Sequence, residues 1–312
     1  MTIVILSDVA EAAAEQVGTR HPGERIIPVS TPDGLPAALA ENPDIGFSIH
    51  SPKLPAAIHR QLVNAPSLRW VQIGGSGYEH LTPFPDGLAV TNGAGVLAPF
   101  LAETTIGALL ALNCNLVRYQ DASRARRWQP MTFRPLAGQR LAVVGTGAIG
   151  QQVALRARQL GMQVIGLNRA GSPVDDVPEA RPLAALDAVL AEVDAVSVHL
   201  RLTPETTGLF NAERFGHMRP GALFLNSARG RVVVEKDLIE ALRSGQVGGA
   251  WLDVFEVEPL PAESPLWTME NVLLSPHASD QVRDWEDRFA VLFADNLSRW
   301  RAGKPLLRQV AG

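Results

Sequence analysis

Short apolar runs alternate with segments of helical spacing along most of the chain. In the first third, the predicted strands lie at residues 3–6, 26–29, 45–49, 70–73 and 88–90. Between them, residues 9–17 and 54–63 repeat apolar positions with the period of a helix. Strands that alternate with helices are typical of a parallel sheet covered on both faces. This part of the chain therefore predicts a doubly wound α/β domain.

The alternation restarts after an apolar segment at residues 100–123, which predicts one long helix. The strands predicted after it lie at residues 141–144, 164–167, 195–199, 222–225, 249–252 and 272–274. The last segment, 280–301, carries large apolar residues at helical spacing and predicts an amphipathic helix packed on a core. We therefore expect two doubly wound parallel-sheet α/β domains. Residues 1–98 plus 281–312 form a flavodoxin-like domain, and residues 99–280 are inserted into it.

The bulk composition narrows the class of protein. A chain of 312 residues is long enough for two domains. Its 46% hydrophobic content and net charge of −4 are typical of a soluble globular protein and predict no nucleic-acid surface. The chain shows no signal-peptide pattern and no run of the roughly 20 apolar residues that span a membrane. We therefore expect a cytoplasmic protein without a membrane partner. The one cysteine, Cys114, predicts a buried thiol, and the histidines show no zinc-ligand spacing.

A glycine-rich turn, GTGAIG at residues 145–150, follows a predicted strand and opens a predicted helix. In dinucleotide-binding loops of this spacing, the first glycine makes a tight turn, the second lets the backbone approach phosphate and the third lets the helix pack closely. A bare structural turn is the competing interpretation. The strand–turn–helix context favours a Rossmann domain at 99–280 that binds a dinucleotide. The predicted cofactor contacts in the turn are Gly145, Gly147, Ala148, Ile149 and Gly150.

Three predicted strands are each followed by one residue of chemical interest. These residues are Arg229 after strand 222–225, Glu258 after strand 249–252 and His277 after strand 272–274. Taken singly, each has a structural or solvent-exposed interpretation. Ligands of open α/β sheets bind at the carboxyl ends of the strands, where these three side chains are expected to lie. Together they provide a cation for an anion, a proton donor and a carboxylate beside that donor.

Four motifs carry a resemblance to a known family, and they are GTGAIG, NSARGRVVVEKDLIEAL, GAWLDVFEVEPLP and LLSPHAS. Along nearly its whole length the chain resembles the D-isomer-specific 2-hydroxyacid dehydrogenases, most of all their glyoxylate/hydroxypyruvate reductase branch. The resemblance implies hydride transfer between NAD(P)H and a small 2-oxo acid, giving a D-2-hydroxy acid. It implies that Arg229 binds the carboxylate and carbonyl of the 2-oxo acid. It also implies that His277 donates the proton and that Glu258 is its hydrogen-bonded partner.

The resemblance extends to binding residues and to assembly. It implies that the backbone amides of Gly75, Ser76 and Gly77 receive the substrate carboxylate. It implies that Asp253 faces the nicotinamide end of the cofactor. The other cofactor-lining positions that it implies are Leu200, Ser227, Ala228 and His277. The usual arrangement of the family implies a homodimer.

The chain departs from the family pattern where the adenosine half of the cofactor is expected to bind. Asn168 and Arg169 follow the second Rossmann strand, where an acidic residue would hold the ribose of NAD, and Arg201 replaces a proline. An arginine fork suits a 2′-phosphate, so we predict that NADP is preferred over NAD. The alternative is that Asn168 serves the ribose hydroxyls of NAD while Arg169 stacks on adenine.

Other functions stay open at the level of sequence. Some relatives with this fold act as nucleotide-sensing binding proteins or co-regulators while retaining the catalytic residues. Oxidation of formate or phosphite is another reaction of the family, but the expected substrate-side features are not evident around Gly75 or Pro276. The sequence leaves open which 2-oxo acid is the physiological substrate.

Overall fold

In the computed structural model, which describes residues 1–49 and 53–312, the chain divides into two compact units. The first unit comprises residues 1–97 and 282–312, and the second comprises residues 98–281. The chain begins in the first unit with strands β1 (Thr2–Leu6), β2 (Arg25–Val29), β3 (Ile45–Ser48), β4 (Trp70–Ile73) and β5 (Ala89–Asn92). Between them lie helices α1 (Ala10–Arg20), α2 (Leu35–Ala40) and α3 (Ala56–Val63).

The second unit repeats the alternation of strand and helix. Its helices are α4 (Ala98–Asn113), α5 (Leu116–Arg124), α6 (Ala148–Gln159), α7 (Leu186–Leu190), α8 (Ala212–His217) and α9 (Glu235–Arg243). Its strands are β6 (Arg140–Val144), β7 (Gln163–Asn168), β8 (Ala180–Pro182), β9 (Ala195–Val198), β10 (Ala222–Asn226), β11 (Val247–Leu252) and β12 (Val272–Leu274). The chain then returns to the first unit with helix α10 (Trp285–Arg301) and strand β13 (Gln309–Ala311).

The sheet of the second unit has the order β12-β11-β10-β9-β6-β7-β8, and its strands pair in parallel throughout. Alternate residues of β6 enter two different cores, because Ala142 and Val144 pack with α7 and α9 while Leu141 and Val143 pack with α4 and α6. The sheet is therefore covered on both faces, which confirms the predicted doubly wound fold. The strand order reverses between β6 and β9, where ligands of such sheets bind.

The sheet of the first unit has the order β13-β5-β4-β3-β1-β2. Its strands β1 to β5 pair in parallel, as predicted, but β13 pairs antiparallel with β5. The sequence did not predict this edge strand, which is only three residues long. Asn296 of α10 fixes the return of the chain, because its side chain bonds both the carbonyl and the amide of Leu307.

The last helix packs on the core of the first unit, as its amphipathic pattern predicted. Phe293 of α10 stacks on Phe47 of β3 with ring centroids 4.6 Å apart, and on Trp70 of β4 at 5.1 Å. The helix begins at Trp285 rather than at residue 280, after Asp284 in a left-handed conformation with φ +58°.

The single helix predicted at residues 100–123 is wrong. The segment forms two helices, α4 and α5, which are bent by 62° at the intervening break. Asn115 lies at the break, directly before α5, with a left-handed φ of +57°, which asparagine tolerates better than most residues. Its side chain then donates to the carbonyl of Thr132. Cys114, predicted to be buried, is partly exposed at this break.

Among residues 1–49 and 53–312, no single helix is long and apolar enough to cross a membrane, and only the bent pair of α4 and α5 meets the requirement jointly.

Candidate active site

The three glycines of the GTGAIG turn differ in what surrounds them. Gly145 has a φ of +103°, and a Cβ there would lie 2.5 Å from the carbonyl oxygen of His199. A Cβ on Gly150 would lie 2.0 Å from the carbonyl oxygen of Gly145. A Cβ on Gly147 would meet no described atom within 4 Å. The first and third glycines therefore allow close packing, whereas the second borders open space, as a phosphate-binding turn requires.

The residues around this turn fit a dinucleotide. Helix α6 begins at Ala148 after Gly147, and no side chain caps its first amides, so they remain able to bind an anion. At the carboxyl ends of β10 and β9, Ser227 Oγ and His199 Nδ1 are buried and have no hydrogen-bond partner among the described residues. Such polar atoms at a strand end are expected to be satisfied by a ligand or by water. Leu200 and Ala228, two other predicted contacts, lie beside them in the chain.

His199 is a site residue that sequence reasoning missed. Its Nε2 lies 2.8 Å from Ser197 Oγ, and its backbone amide bonds the carbonyl of Val144. Burial lowers the pKa of His199 to about 4, so the imidazole is neutral at physiological pH. The signal available in the sequence was a histidine directly after a buried strand.

The loop after β7 is organised by Asn168. The two amide hydrogens of Asn168 go to Thr146 Oγ1, at 2.9 Å, and to the carbonyl of Ser172, at 2.8 Å. Its Oδ1 accepts the backbone amide of Gly171 at 2.7 Å. Arg169, the next residue, is exposed. The side chain of Asn168 therefore holds the loop in place, and Arg169 projects from it.

A second exposed loop, after β9, carries Arg201 and Glu205. The pKa of Glu205 is lowered mainly by a hydrogen bond from the Thr203 side chain, and the positive charge of Arg169 contributes. The carboxylate of Glu205 and the guanidinium of Arg169 therefore attract each other electrostatically. Sequence reasoning did not single out this acid.

His277 and Glu258, 19 residues apart in sequence, meet at the carboxyl ends of β12 and β11. His277 Nδ1 lies 2.8 Å from Glu258 Oε2, and Glu258 Oε1 accepts the backbone amide of Phe255 at 3.0 Å. The carboxylate is therefore fixed by its own loop while it holds the imidazole. The His277 side chain is 48% exposed, which leaves its other nitrogen accessible to a reactant.

Arg229 lies in a turn that is fixed against the loop of Glu258. A Cβ on the next residue, Gly230, would lie 1.8 Å from the carbonyl oxygen of Phe255, so only glycine allows the two loops to approach this closely. Asn226 Nδ2 donates to the carbonyl of Arg229 at 3.2 Å. The guanidinium bonds only the carbonyl of Ala228, at 2.7 Å, among the interactions of the described residues. Its remaining donors are available for an anion.

Asp253 was predicted to face the cofactor, and in the structure its carboxylate is bonded to the loop that carries His277. The residue is 1% exposed, and its two carboxylate oxygens accept hydrogen bonds from Ser275, Ala278 and Ser279. Sequence reasoning did not anticipate these partners.

The predicted substrate loop at Gly75, Ser76 and Gly77 belongs to the first unit, where it follows β4. Gly75 has a φ of +152°, and its carbonyl accepts the amide of Gly93 at 2.7 Å. Asn92, at the end of β5, donates from its side chain to the carbonyl of Ser76 at 3.0 Å. Because these carbonyls are bonded to the neighbouring strand end, the loop has a defined conformation with Ser76 exposed.

Comparison with known proteins gives the same family at three levels. A family model described as "D-isomer specific 2-hydroxyacid dehydrogenase, NAD binding domain" matches residues 106–279. A glyoxylate reductase of Korarchaeum cryptofilum is 33% identical over 250 residues, which cover 77% of this chain and 75% of that protein. A solved D-isomer specific 2-hydroxyacid dehydrogenase family protein from Aeromonas salmonicida superposes with a TM-score of 0.87 at 33% identity, covering 99% of this chain and 98% of that one.

A further solved structure is a Sinorhizobium meliloti NADPH-dependent glyoxylate/hydroxypyruvate reductase in complex with NADP and sulfate. It has a TM-score of 0.83 and 29% identity, and covers 99% of this chain and 97% of that chain. The family model and the relatives agree with the motifs that first suggested the resemblance. The chain therefore belongs to the D-isomer specific 2-hydroxyacid dehydrogenases, a family of NAD(P)-dependent oxidoreductases.

Proposed function

We propose that the protein reduces a small 2-oxo acid of the glyoxylate and hydroxypyruvate type to the D-2-hydroxy acid. The observation that carries this proposal is the 2.8 Å contact between His277 and Glu258, beside a turn that holds Arg229 with donors to spare. An anion-binding guanidinium and a proton donor are the groups that reduction of a 2-oxo acid requires. The names of the glyoxylate and hydroxypyruvate reductases among its relatives support the substrate class.

Each of the three residues has a distinct role in this proposal. Arg229 binds the substrate carboxylate through its planar fork and stabilises the negative charge that develops on the carbonyl oxygen. Glu258 holds the Nδ1 side of His277, so that Nε2 is free to give its proton to that oxygen. The nicotinamide, when bound, supplies the hydride to the carbonyl carbon. The carbonyl group thereby gains one hydride and one proton and becomes the hydroxyl group of the product.

Besides Arg229, each unit contributes a binding loop to the proposed function. The second unit binds the dinucleotide through the amides that follow Gly147, and Ser227 and His199 offer further polar atoms. In the first unit, the backbone amides of Gly75, Ser76 and Gly77 are proposed to receive the substrate carboxylate. The positive φ of Gly75 and the bonds that fix the loop support this role, because a preorganised loop loses little entropy on binding.

For the cofactor we propose a preference for NADP over NAD. Asn168 donates its two amide hydrogens to Thr146 of the glycine-rich turn and to Ser172 of its own loop, so it has none left for a ribose hydroxyl. Arg169, in contrast, is exposed and carries its positive charge outside the loop. An exposed arginine after the second Rossmann strand can bind a 2′-phosphate. The NADP complex of the Sinorhizobium meliloti relative supports the same preference.

The assembly we propose is a homodimer formed through the segment between α5 and β6. In this segment Trp128 is 99% exposed and Phe133 is 52% exposed, and Leu116 of α5 is 54% exposed. Burying such large apolar side chains against a second copy is favourable, because each removes a substantial apolar area from water.

A steady-state screen tests the proposed function. Glyoxylate, hydroxypyruvate and pyruvate are each offered with NADPH and with NADH, and kcat/KM is measured for every pair. We expect turnover of glyoxylate or hydroxypyruvate, with a higher kcat/KM for NADPH. A higher value with NADH would overturn the cofactor preference alone. Absence of turnover with every pair would overturn the proposed reaction and favour a nucleotide-binding protein without this activity.

A further inference from the structure

The proposed carboxylate loop at residues 75–77 is held through its carbonyl groups, whereas its amides are left available. Among the hydrogen bonds of residues 1–49 and 53–312, none is donated by the backbone amide of Gly75, Ser76 or Gly77. The carbonyl of Gly75 accepts the amide of Gly93 at 2.7 Å, and the carbonyl of Ser76 accepts the side chain of Asn92 at 3.0 Å. The direction of the available amides therefore depends on what holds the segment after β5 in place.

Helix α10 supports that segment. A Cβ on Gly93 would lie 2.3 Å from Cε1 and 2.7 Å from Cδ1 of Phe289. It would also lie 2.9 Å from the backbone nitrogen of Gly75. The ring of Phe289 therefore packs directly against the bare Cα of Gly93, a contact that only glycine allows. Because the ring and the Gly75 nitrogen are both within 3 Å of one point, the ring also lies close to the carboxylate loop.

Phe289 is itself fixed through its backbone and its ring. Its carbonyl accepts Gln72 Nε2 of β4 at 3.4 Å, and Gln72 Oε1 accepts Asn296 Nδ2 of α10 at 3.0 Å. Its buried ring packs edge to face with Trp285, with ring centroids 5.6 Å apart and ring planes at 77°. Strand β4 leads into the carboxylate loop, so these contacts fix the ring relative to the loop.

We propose that Phe289 is a positioning residue for substrate binding: its ring supports Gly93 and thereby holds the amides of residues 75–77 towards the substrate carboxylate. The identity of the ligand rests on the proposed function, but the support of the loop is a property of the protein alone. The proposal gives a binding task to the last helix, which the chain reaches only after the second unit is complete.

The variant Phe289→Leu removes the ring atom nearest to Gly93 and keeps an apolar side chain. The loop amides bind the carboxylate alike in the ground state and in the transition state, so KM should rise while kcat changes little. We expect KM for the best 2-oxo acid of the screen to rise about 10-fold, the effect of weakening one hydrogen bond to a charged group. The dissociation constant of the reduced cofactor, measured by fluorescence titration, should stay unchanged. An unchanged KM would overturn the proposal.

The matched control is Phe293→Leu, one turn further along the same helix. The ring of Phe293 is also buried, but it stacks on Phe47 and Trp70. Both variants should lower the melting temperature, because each removes buried ring atoms. Only Phe289→Leu should raise KM. An equal rise of KM in the two variants would mean that lost stability is responsible, and it would contradict the positioning role.

A double-mutant cycle tests whether the effect passes through Gly93. Gly93→Ala places a methyl group against the ring of Phe289, so it should displace the loop and raise KM. Phe289→Leu takes away the nearest ring atom, so the double variant should have a KM well below the product of the two single effects. Two fully multiplicative effects would show that Phe289 acts by another route.

Amide hydrogen exchange gives a readout without turnover. The amide of Gly93 is protected by its bond to Gly75, and it should exchange faster in Phe289→Leu than in Phe293→Leu or in the unmodified protein. The same exchange rate in all three proteins would overturn the positioning role. If the unmodified protein reduces no 2-oxo acid, the proposed function is refuted and this exchange measurement alone decides the support of the loop.

A milder variant covers the case in which Phe289→Leu does not fold. Phe289→Met fills much of the same space with a flexible side chain that has no rigid face to support Gly93. We expect a rise of KM in the same direction, with the affinity for the cofactor constant. An unchanged KM in folded Phe289→Met would contradict the proposal.

Discussion

At the scale of single residues, hydrogen bonds position the functional groups of the site and leave other polar atoms of the same residues available for a ligand. Asn226 fixes the backbone of Arg229, yet most donors of the guanidinium remain available. Glu258 occupies one nitrogen of His277, and the other is left accessible. This combination allows a substrate to be oriented without a large loss of side-chain entropy on binding.

Replacing Arg229 by Ala should raise KM and lower kcat, because the guanidinium binds both the ground-state carboxylate and the developing oxyanion. Arg229→Lys keeps the charge but loses the planar fork, so it should recover part of kcat and little of KM. Steady-state kinetics with the best 2-oxo acid of the screen measures both. The control is Arg231→Ala, which removes an exposed arginine two residues away. Equal effects of Arg229→Ala and Arg231→Ala would contradict the assigned role.

The buried imidazole of His199 should make folding sensitive to acid. In the unfolded chain, the imidazole of His199 takes up a proton at its ordinary pKa near 6.5. In the folded state, burial lowers the pKa of His199 to about 4. The contribution of the neutral His199 to the free energy of unfolding is therefore fully present above pH 6.5, and it is lost as the pH falls towards 4. The loss from this group at pH 5 is about 2 kcal/mol.

The variant His199→Gln tests this dependence, because it removes the titration and keeps a polar side chain. Urea unfolding at pH 7.5 and pH 5 should show a smaller acid-induced loss of unfolding free energy in the variant than in the unmodified protein. The same loss in both proteins would mean that His199 is not the group responsible.

At the scale of secondary-structure elements, two glycines of the turn before α6 have different tasks. Gly150 is needed for packing, and Gly147 is needed for the proposed cofactor binding. Gly147→Ala adds a methyl group that meets nothing, at a φ of −73° that alanine adopts readily, so the melting temperature should be unchanged. The methyl group stands where a phosphate would approach, so cofactor affinity should fall. Gly150→Ala places a Cβ 2.0 Å from the carbonyl oxygen of Gly145 and should lower the melting temperature. The opposite order of the two melting temperatures would contradict this account of the turn.

The sequence predicted elements well where a long apolar run is buried, because such runs leave few alternatives to a central strand or a core helix. It failed at β13 and at Asn115, where a short edge strand or a single left-handed residue decides the structure. Spacing also predicted that Arg229, Glu258 and His277 lie at strand ends. It did not reveal that the Asp253 carboxylate accepts hydrogen bonds from the loop of His277, since these join residues that are 22 to 26 positions apart.

At the scale of the whole molecule, each of the two units has its own buried core, and the connections at residues 97–98 and 281–282 divide the chain between them. The second unit carries the proposed dinucleotide site together with the Arg229, Glu258 and His277 side chains. A model of the NAD-binding domain matches most of this unit. The first unit carries the proposed carboxylate loop at residues 75–77.

The exposed indole of Trp128 should act in assembly. We expect light scattering to give a mass of twice the 33.5 kDa chain, and Trp128→Ala to shift the protein towards the monomer because it removes the largest exposed apolar side chain of the segment. Trp267→Ala is a matched control, since Trp267 is 54% exposed and donates to Pro261. A monomeric unmodified protein, or a Trp128→Ala variant as dimeric as the control, would refute the proposed interface.

The most direct test of the account compares hydroxypyruvate reduction by the unmodified protein and by His277→Ala, with the configuration of the product determined. A matched variant is His217→Ala, which removes a different histidine that faces a carboxylate, that of Asp187 at 3.8 Å. We expect D-glycerate as the product and a loss of kcat on the order of 10²–10⁴-fold in His277→Ala, but not in His217→Ala. Near-normal turnover in His277→Ala, or an L-product from the unmodified protein, would contradict it.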